Sequence, residues 1–156
     1  MNARAVRIRR LSPGDEAVVQ RLTAEADRFE LPGAPPRELP VPDDATSARF
    51  LGAETTHLLV AFAGSDPVGV LLAYELPRRH GDETKMILYE IGVREDWRRR
   101  GVGRGLIERF GDLCRERGAR RAFVLTDEAN EAAMALYAST GGQRARTDDV
   151  VFFYSF

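Results

Sequence analysis

The spacing of apolar and polar positions changes several times along this chain, and each spacing predicts an element. Val6 and Ile8 alternate with arginine, the period of two expected of a short strand. Ser12-Pro13-Gly14-Asp15 predicts a turn, and Val18, Val19, Leu22 and Ala26 after it predict a helix with one apolar stripe. Five of the eight prolines fall between residues 31 and 42, which excludes a helix or a central strand there. A short helix over 46–51 is expected next. Strands over 57–62 and 68–76 then form a hairpin around the turn Gly64-Ser65-Asp66-Pro67. A charged loop over 77–82 leads to an apolar strand over 85–93.

The period then lengthens. Leu106, Ile107, Phe110, Leu113 and Cys114 recur as one face of a helix, and Gly118 is placed to stop it. A short buried strand over 122–126 is expected, then a helix over 131–140 with Ala135 and Leu136 inward. That helix ends at Gly141-Gly142, and an apolar strand over 150–156 follows. The order β-α-α-β-β-β-α-β-α-β predicts a mixed α/β fold in a single domain over 1–156.

Composition narrows the classes without choosing among them. With 156 residues, 44% hydrophobic and 30% charged, the chain has the make-up of an ordinary globular domain able to bury a core. No apolar run is long enough to span a membrane. The lone cysteine, Cys114, cannot form an internal disulfide, so a soluble cytoplasmic protein is expected. The net charge of −1 hides an asymmetry: ten arginines against five acids between Arg94 and Arg121 make that stretch +5 and the remainder −6. Such a segment suits a polyanionic ligand, and the acidic remainder a cationic one. A solvated helix face has the same composition.

The sharpest motif is Arg98-Arg99-Arg100-Gly101-Val102-Gly103-Arg104-Gly105 between a strand and a helix. Glycine lets a ligand approach the backbone closely, and the first amides of a helix lack intrahelical partners, so the segment reads as an anion site. A P-loop would need Gly-Lys-Ser/Thr, and the only lysine is Lys85. A dinucleotide fingerprint would need G-x-G-x-x-G directly after a strand, and Val93 ends eight residues before Gly101.

This loop resembles the R/Q-x-x-G-x-G/A signature of the GNAT acetyltransferases. Asn130, Ala135-Leu136-Tyr137 and Gly141 resemble that family's second conserved region. The likeness extends to the element order of nearly the whole chain. It implies the acyl-CoA N-acyltransferase fold, a central mixed sheet flanked by about four helices, with acetyl-CoA as co-substrate and no metal. By the same resemblance Arg98, Arg99, Arg100, Gly101, Val102, Gly103, Arg104 and Gly105 hold the pyrophosphate. The edge of Ile91, Gly92 and Val93 binds the pantetheine arm, with Asn130 and Tyr137 also at the coenzyme. Within the family, Ala73-Tyr74-Glu75-Leu76-Pro77, Leu88-Tyr89-Glu90-Ile91-Gly92-Val93 and the arginine–glycine loop resemble the type I aminoglycoside 3-N-acetyltransferases. Members of that group typically carry Asp where this chain has Glu90, one methylene longer.

Acetyl transfer to an amine requires that the ammonium lose a proton and the leaving thiolate gain one. Glu90 is the candidate base and a binding group for the amine. An ordinary Glu titrates at about 4.3, so a raised value or a relaying water is expected. Pairing with an Arg across the sheet is its structural alternative. Tyr137 is the candidate acid toward the thiolate, with a place in the core as the alternative. Asn130 equally suits a helix cap. Asp127, Asp148 and Asp149 are candidate substrate-binding acids that also suit turns. His57 and His80 lie far apart without neighbours at metal spacing. Cys114 sits on the apolar helix face, and Trp97 at the strand-to-loop corner.

The arginine cluster lacks the interleaved aromatics of a nucleic-acid site, so neither nucleic acid nor membrane is an expected partner. The expected partner is a cationic small-molecule amine, the aminoglycoside 3-amino group by resemblance. A protein N-terminus, a lysine or a polyamine is the enzymatic alternative, and a non-catalytic CoA-binding module the other. The apolar strand at 150–156 offers an edge for a homodimer.

Overall fold

The computed structural model describes residues 5–35, 38–79, 84–145 and 151–156. They divide into two compact units, residues 1–125 and 126–156. The first holds a five-stranded sheet in the order β1-β2-β3-β4-β5. Strands β1 (Val6–Arg10), β2 (Thr56–Ala63), β3 (Asp66–Pro77) and β4 (Thr84–Val93) pair antiparallel in succession, and β5 (Ala119–Val124) joins β4 in parallel. The sheet is therefore mixed, as expected.

Two helices, α1 (Glu16–Ala24) and α2 (Asp44–Gly52), cover one sheet face; α3 (Val102–Glu116) covers the other. α1 is shorter than its stripe implied, because Ala26 lies in a 3-10 turn over Ala26–Arg28. Asp43 caps α2 by accepting the amide of Thr46 at 2.7 Å, which satisfies one orphan donor of the first turn. The hairpin turn is tighter than expected: only Gly64 and Ser65 lie outside the strands, with Gly64 at φ +69°.

Both faces of the sheet carry a buried apolar core. On the α3 side Leu59, Leu71, Ala73, Met86 and Leu106 are 0% exposed. On the α1/α2 side Val19, Leu58, Val70 and Leu72 keep 7–9%. Cys114 is buried on α3, and burial pushes its thiol up to about 11, consistent with a core residue.

Helix α3 is fastened at both ends. A Cβ on Gly69 would lie 2.7 Å from Val102 Cγ1, and one on Gly105 would lie 2.9 Å from Ile8 Cδ1, so the helix seats closely on β3 and β1. At the other end Arg117, its C-cap, donates from Nε and Nη2 to the buried carboxylate of Glu75, at 2.5 and 3.0 Å. His57 Nε2 lies 3.7 Å from that carboxylate, and the imidazole is wholly buried. Burial, then the charge of Arg10, lowers the His57 pKa to about 4, so the ring is neutral.

The second unit holds α4 (Glu131–Ser139). None of its residues is fully buried, and Ala135, expected inward, is exposed. Two strand expectations are corrected. β5 begins at Ala119 and ends at Val124, and most of its residues are exposed rather than buried. The expected closing strand is absent over its described part: residues 151–156 form no strand and are exposed, Phe153 at 94%. An apolar run forms a strand only where a partner supplies the hydrogen bonds. Val150 lies outside the described residues.

Candidate active site

The candidate residues of the first unit lie on the last half of β4 and in the loop that leads to α3. The strand pairs with β5 only from Thr84 to Leu88, whereas its pairing with β3 continues to Val93 opposite Gly69. From Tyr89 onward the edge of β4 away from β3 has no strand beside it among the described residues. Its main-chain donors and acceptors can receive an extended ligand arm.

A β-bulge lies at the same place. Leu88 pairs with Ala73 and Glu90 with Leu72, leaving Tyr89 as the extra residue. In a regular strand residues 88 and 90 would share a face. The bulge leaves Leu88 under α3 and turns Glu90 to the α1/α2 face. There it lines a cavity of about 180 Å3 with Val19, Leu22, Phe50, Leu58 and Leu72. Glu90 is solvent-exposed at this cavity. Tyr74 and Tyr89 meet edge-to-face, 5.4 Å between centroids at 76°. Burial, then Tyr89 and Glu90, raise the Tyr74 phenol pKa above its ordinary value.

Beyond β4 the chain makes a 3-10 turn at Glu95–Trp97 and enters the glycine loop. Arg99 takes φ +58° and Gly101, the N-cap of α3, takes φ +81°. The first intrahelical bond is donated by the Gly105 amide to Gly101 O at 2.9 Å, so the amides of Val102, Gly103 and Arg104 precede it. Nothing lies within 4 Å of where a Gly101 Cβ would stand. Open space at an αL cap beside unpaired helix amides suits a phosphate. Because Gly69 touches Val102 and pairs with Val93, this cradle sits where the open edge of β4 ends.

Several expected cofactor residues also make contacts within the protein. The guanidinium of Arg98 donates to Val93 O at 2.9 Å and to Glu30 O at 2.5 Å, tying the loop to β4 and to the segment after α1. Gly105 has its amide committed to the helix, and its missing side chain makes room for Ile8. Arg100 stacks over Trp97 at 5.3 Å, which fixes that residue at the corner of the loop. Arg99, Arg100 and Arg104 are exposed around the cradle. Gly92 packs against Phe29: a Cβ there would lie 3.0 Å from Phe29 Cβ.

In the second unit Asn130 caps α4, its side-chain oxygen accepting the Ala133 amide at 3.1 Å. Asp127 is exposed and accepts the Ala129 amide at 2.9 Å, a turn-forming role. Tyr137 is half-buried, which raises its phenol pKa above the ordinary value. Asp148, Asp149 and His80 lie outside the described residues. Among the described residues no cluster of three or more His, Cys, Asp or Glu is placed to hold a metal ion, and no helix is long and apolar enough to cross a membrane.

The family model described as Acetyltransferase (GNAT) family matches residues 20–141, which include the end of α1, the bulged strand, the glycine loop and α4. The chain belongs to the GNAT acetyltransferases. Members of this family take their acetyl group from acetyl-CoA, and the cradle and open edge described above fit such a ligand. An aminoglycoside acetyltransferase, HMB0005, from an uncultured soil metagenomic sample is 30% identical over 97% of each chain, with a TM-score of 0.77. A second aminoglycoside acetyltransferase, meta-AAC0020, also from an uncultured soil metagenomic sample, is 25% identical over 97% of this chain and 96% of that one, with a TM-score of 0.80.

The chain is also similar to curated protein acetyltransferases. N-alpha-acetyltransferase RimI of Mycobacterium tuberculosis is 34% identical over 113 residues, 72% of this chain and 61% of that protein. The [ribosomal protein bS18]-alanine N-acetyltransferase of Escherichia coli K12 is 38% identical over 58 residues, 37% of this chain. The matches thus span less than two thirds of these relatives, 39% in the E. coli protein.

Sequence reasoning missed the bulge at Tyr89, the cavity beneath α1 and α2, and the seating of α3 on Gly69. A glycine inside an apolar strand is a signal of close backbone approach, and Gly69 carried that signal.

Proposed function

We propose that this GNAT protein acetylates an amino group of an aminoglycoside, at the 3-N position by resemblance, by direct transfer from acetyl-CoA in a ternary complex. The observation that carries the proposal is the placement of Glu90. The bulge sets its carboxylate at a cavity mouth, on the stretch of β4 that β5 has left and upstream of the α3 amides. The two units act as one catalytic domain in this reading, and the protein works in the cytoplasm.

Acetyl-CoA supplies the activated acyl group. The amides of Val102, Gly103 and Arg104 hold its pyrophosphate, and the exposed arginines of the loop add charge. The open edge of Ile91 and Gly92 takes the amide groups of its arm. Glu90 attracts the acceptor ammonium and accepts its proton, directly or through water. Tyr137 serves as the acid for the thiolate. Its neutral phenol suits that role, because desolvation keeps the proton on the oxygen at assay pH. Asp127, Asp148 and Asp149 contribute negative charge toward a polycationic acceptor.

The resemblance to HMB0005 over 97% of both chains supports the aminoglycoside acceptor. The 34% identity to RimI supports a second reading, transfer to a protein N-terminal amine. Thiol release measured with gentamicin-type drugs, polyamines and N-terminal peptides separates them. Turnover with the drugs is expected; turnover with peptides alone would transfer the assignment to the second reading.

A further inference from the structure

At the end of α3 opposite the glycine loop, a depression of about 510 Å3 opens between the turn after β1 and the C-terminus of α2. Its two walls approach each other: a Cβ on Gly52 would lie 3.8 Å from Pro13 Cγ. Pro13 and Ala53, both exposed, give it an apolar side, and Arg10 and Arg117 give it a charged one. Glu54 is the one acid among the described residues lining it. Helix α3 runs 15 residues between the glycine loop and Arg117. At about 1.5 Å per residue that is roughly 22 Å, so a small molecule here does not reach the amides of Val102, Gly103 and Arg104.

The two arginines differ in how their charge is met. Arg117 bonds both oxygens of Glu75, at 2.5 and 3.0 Å, and so occupies that buried carboxylate. Arg10, half-buried, donates from Nη2 to Thr56 O at 3.1 Å and has no ion pair with a carboxylate among the described residues. His57 offers it no compensation: the ring is wholly buried, and neither nitrogen has a hydrogen-bond partner. The charges acting on Arg10 are Arg117 and Arg109 against Glu75 and Glu116, which with Arg10 itself leaves an excess of one positive charge. Burial, then the charge of Arg117, lowers the Arg10 pKa from its ordinary value.

A guanidinium carries five N–H donors in a planar fork that matches a carboxylate. An anion seated on the remaining donors of Arg10 would neutralise the excess. One negative charge suffices for this. Phosphate, with close to two charges at neutral pH, would meet repulsion from Glu54 on the same depression. The apolar side at Pro13 and Ala53 leaves room for an organic body.

We propose that this depression is a second ligand site, which binds a small organic monocarboxylate on Arg10 beside Arg117, with the rest of the molecule against Pro13 and Ala53. The site is separate from the acetyl-transfer chemistry assigned to Glu90 and does not depend on it.

The test is a titration of the 15N-labelled protein with benzoate, with its neutral analogue benzamide, and with inorganic phosphate. Saturable shifts of the Arg10, Ser12, Ala53 and Glu54 amides with benzoate are expected, at an affinity at least tenfold above that of benzamide and above that of phosphate. Arg10→Gln should weaken benzoate tenfold or more. Ala53→Phe fills the depression from an exposed position and leaves both arginines in place. It should weaken benzoate as much, with thiol release and acetyl-CoA affinity unchanged, and it serves as the test should Arg10→Gln not fold. Equal affinity for benzoate and benzamide, tighter binding of phosphate, shifts of the same size at the start of α3, or full benzoate affinity in a folded Ala53→Phe variant would each overturn the inference. Acetyl transfer would stand in all four cases.

Discussion

Leu88 and Glu90, two residues apart on one strand, lie on opposite faces of the sheet. The pairing of Leu88 with Ala73 and of Glu90 with Leu72 makes this so, and Tyr89 is the residue that absorbs the reversal. The chemistry proposed for Glu90 therefore depends on strand length as much as on the carboxylate. Glu90→Gln keeps the shape and removes the base. We expect kcat to fall by about 10² or more, the usual contribution of a positioned acid or base, with KM for acetyl-CoA nearly unchanged. Deleting Tyr89 should abolish activity even though Glu90 remains. Thiol-release kinetics on the two variants checks both outcomes.

The glycine loop separates backbone conformation from packing. Gly101 sits at φ +81° with open space around its missing Cβ, whereas Gly105 has an ordinary helical conformation and a flexible neighbour, the Cδ1 end of Ile8. Gly101→Ala forces a side chain into the left-handed region at a cost of about 1–2 kcal/mol and deforms the cradle. Its KM for acetyl-CoA should rise about tenfold or more, an energy of about 1.4 kcal/mol. Gly105→Ala should change KM less, because Ile8 can give way. Titration of each variant with acetyl-CoA distinguishes the two effects.

Much of this architecture was legible beforehand, for identifiable reasons. Alternation in β1, the glycine–proline turn between β2 and β3, and the 3.6 period of α1 and α3 located those elements. The arginine–glycine segment was legible because a phosphate cradle needs positive φ and free amides, and glycine leaves a direct mark in the sequence. The facing of Glu90 was not legible, since a bulge is a property of two strands and only one is read at a time. Charge alone does not reveal that the Arg98 guanidinium also bonds two carbonyls. The apolar run at 150–156 looked like a strand because composition does not disclose whether a partner edge exists.

Tyr137 offers a pH signature. Its pKa lies above the ordinary phenol value because burial disfavours the charged form, so the hydroxyl stays protonated and able to donate through the neutral and mildly alkaline range. Any loss of rate from its ionisation should appear only above about pH 10, its unperturbed value. Tyr137→Phe should lower kcat by about tenfold or more and remove that alkaline limb. A pH–rate profile of kcat for parent and variant measures both.

His57 makes a separate prediction about stability. Its pKa in the fold is about 4, below the ordinary 6.5, so the unfolded chain binds the proton more readily. Stability is complete above pH 6.5 and falls as pH drops toward 4, by up to about 3 kcal/mol from this one group. Glu75, held below its ordinary value chiefly by Arg117, adds a further loss at lower pH as its carboxylate protonates. Urea midpoints between pH 7 and 4.5 should fall for the parent and fall less steeply for His57→Leu.

The parting of β5 from β4 after Leu88 has a mechanical side. Beyond the fork, the floor of the proposed reaction chamber is supported laterally by β3 alone, through the ladder that runs on to Gly69 and Val93. Substitutions in the middle of β3, far from any reacting atom, should therefore reach the coenzyme arm with little damping, whereas changes in β5 should be absorbed before the fork.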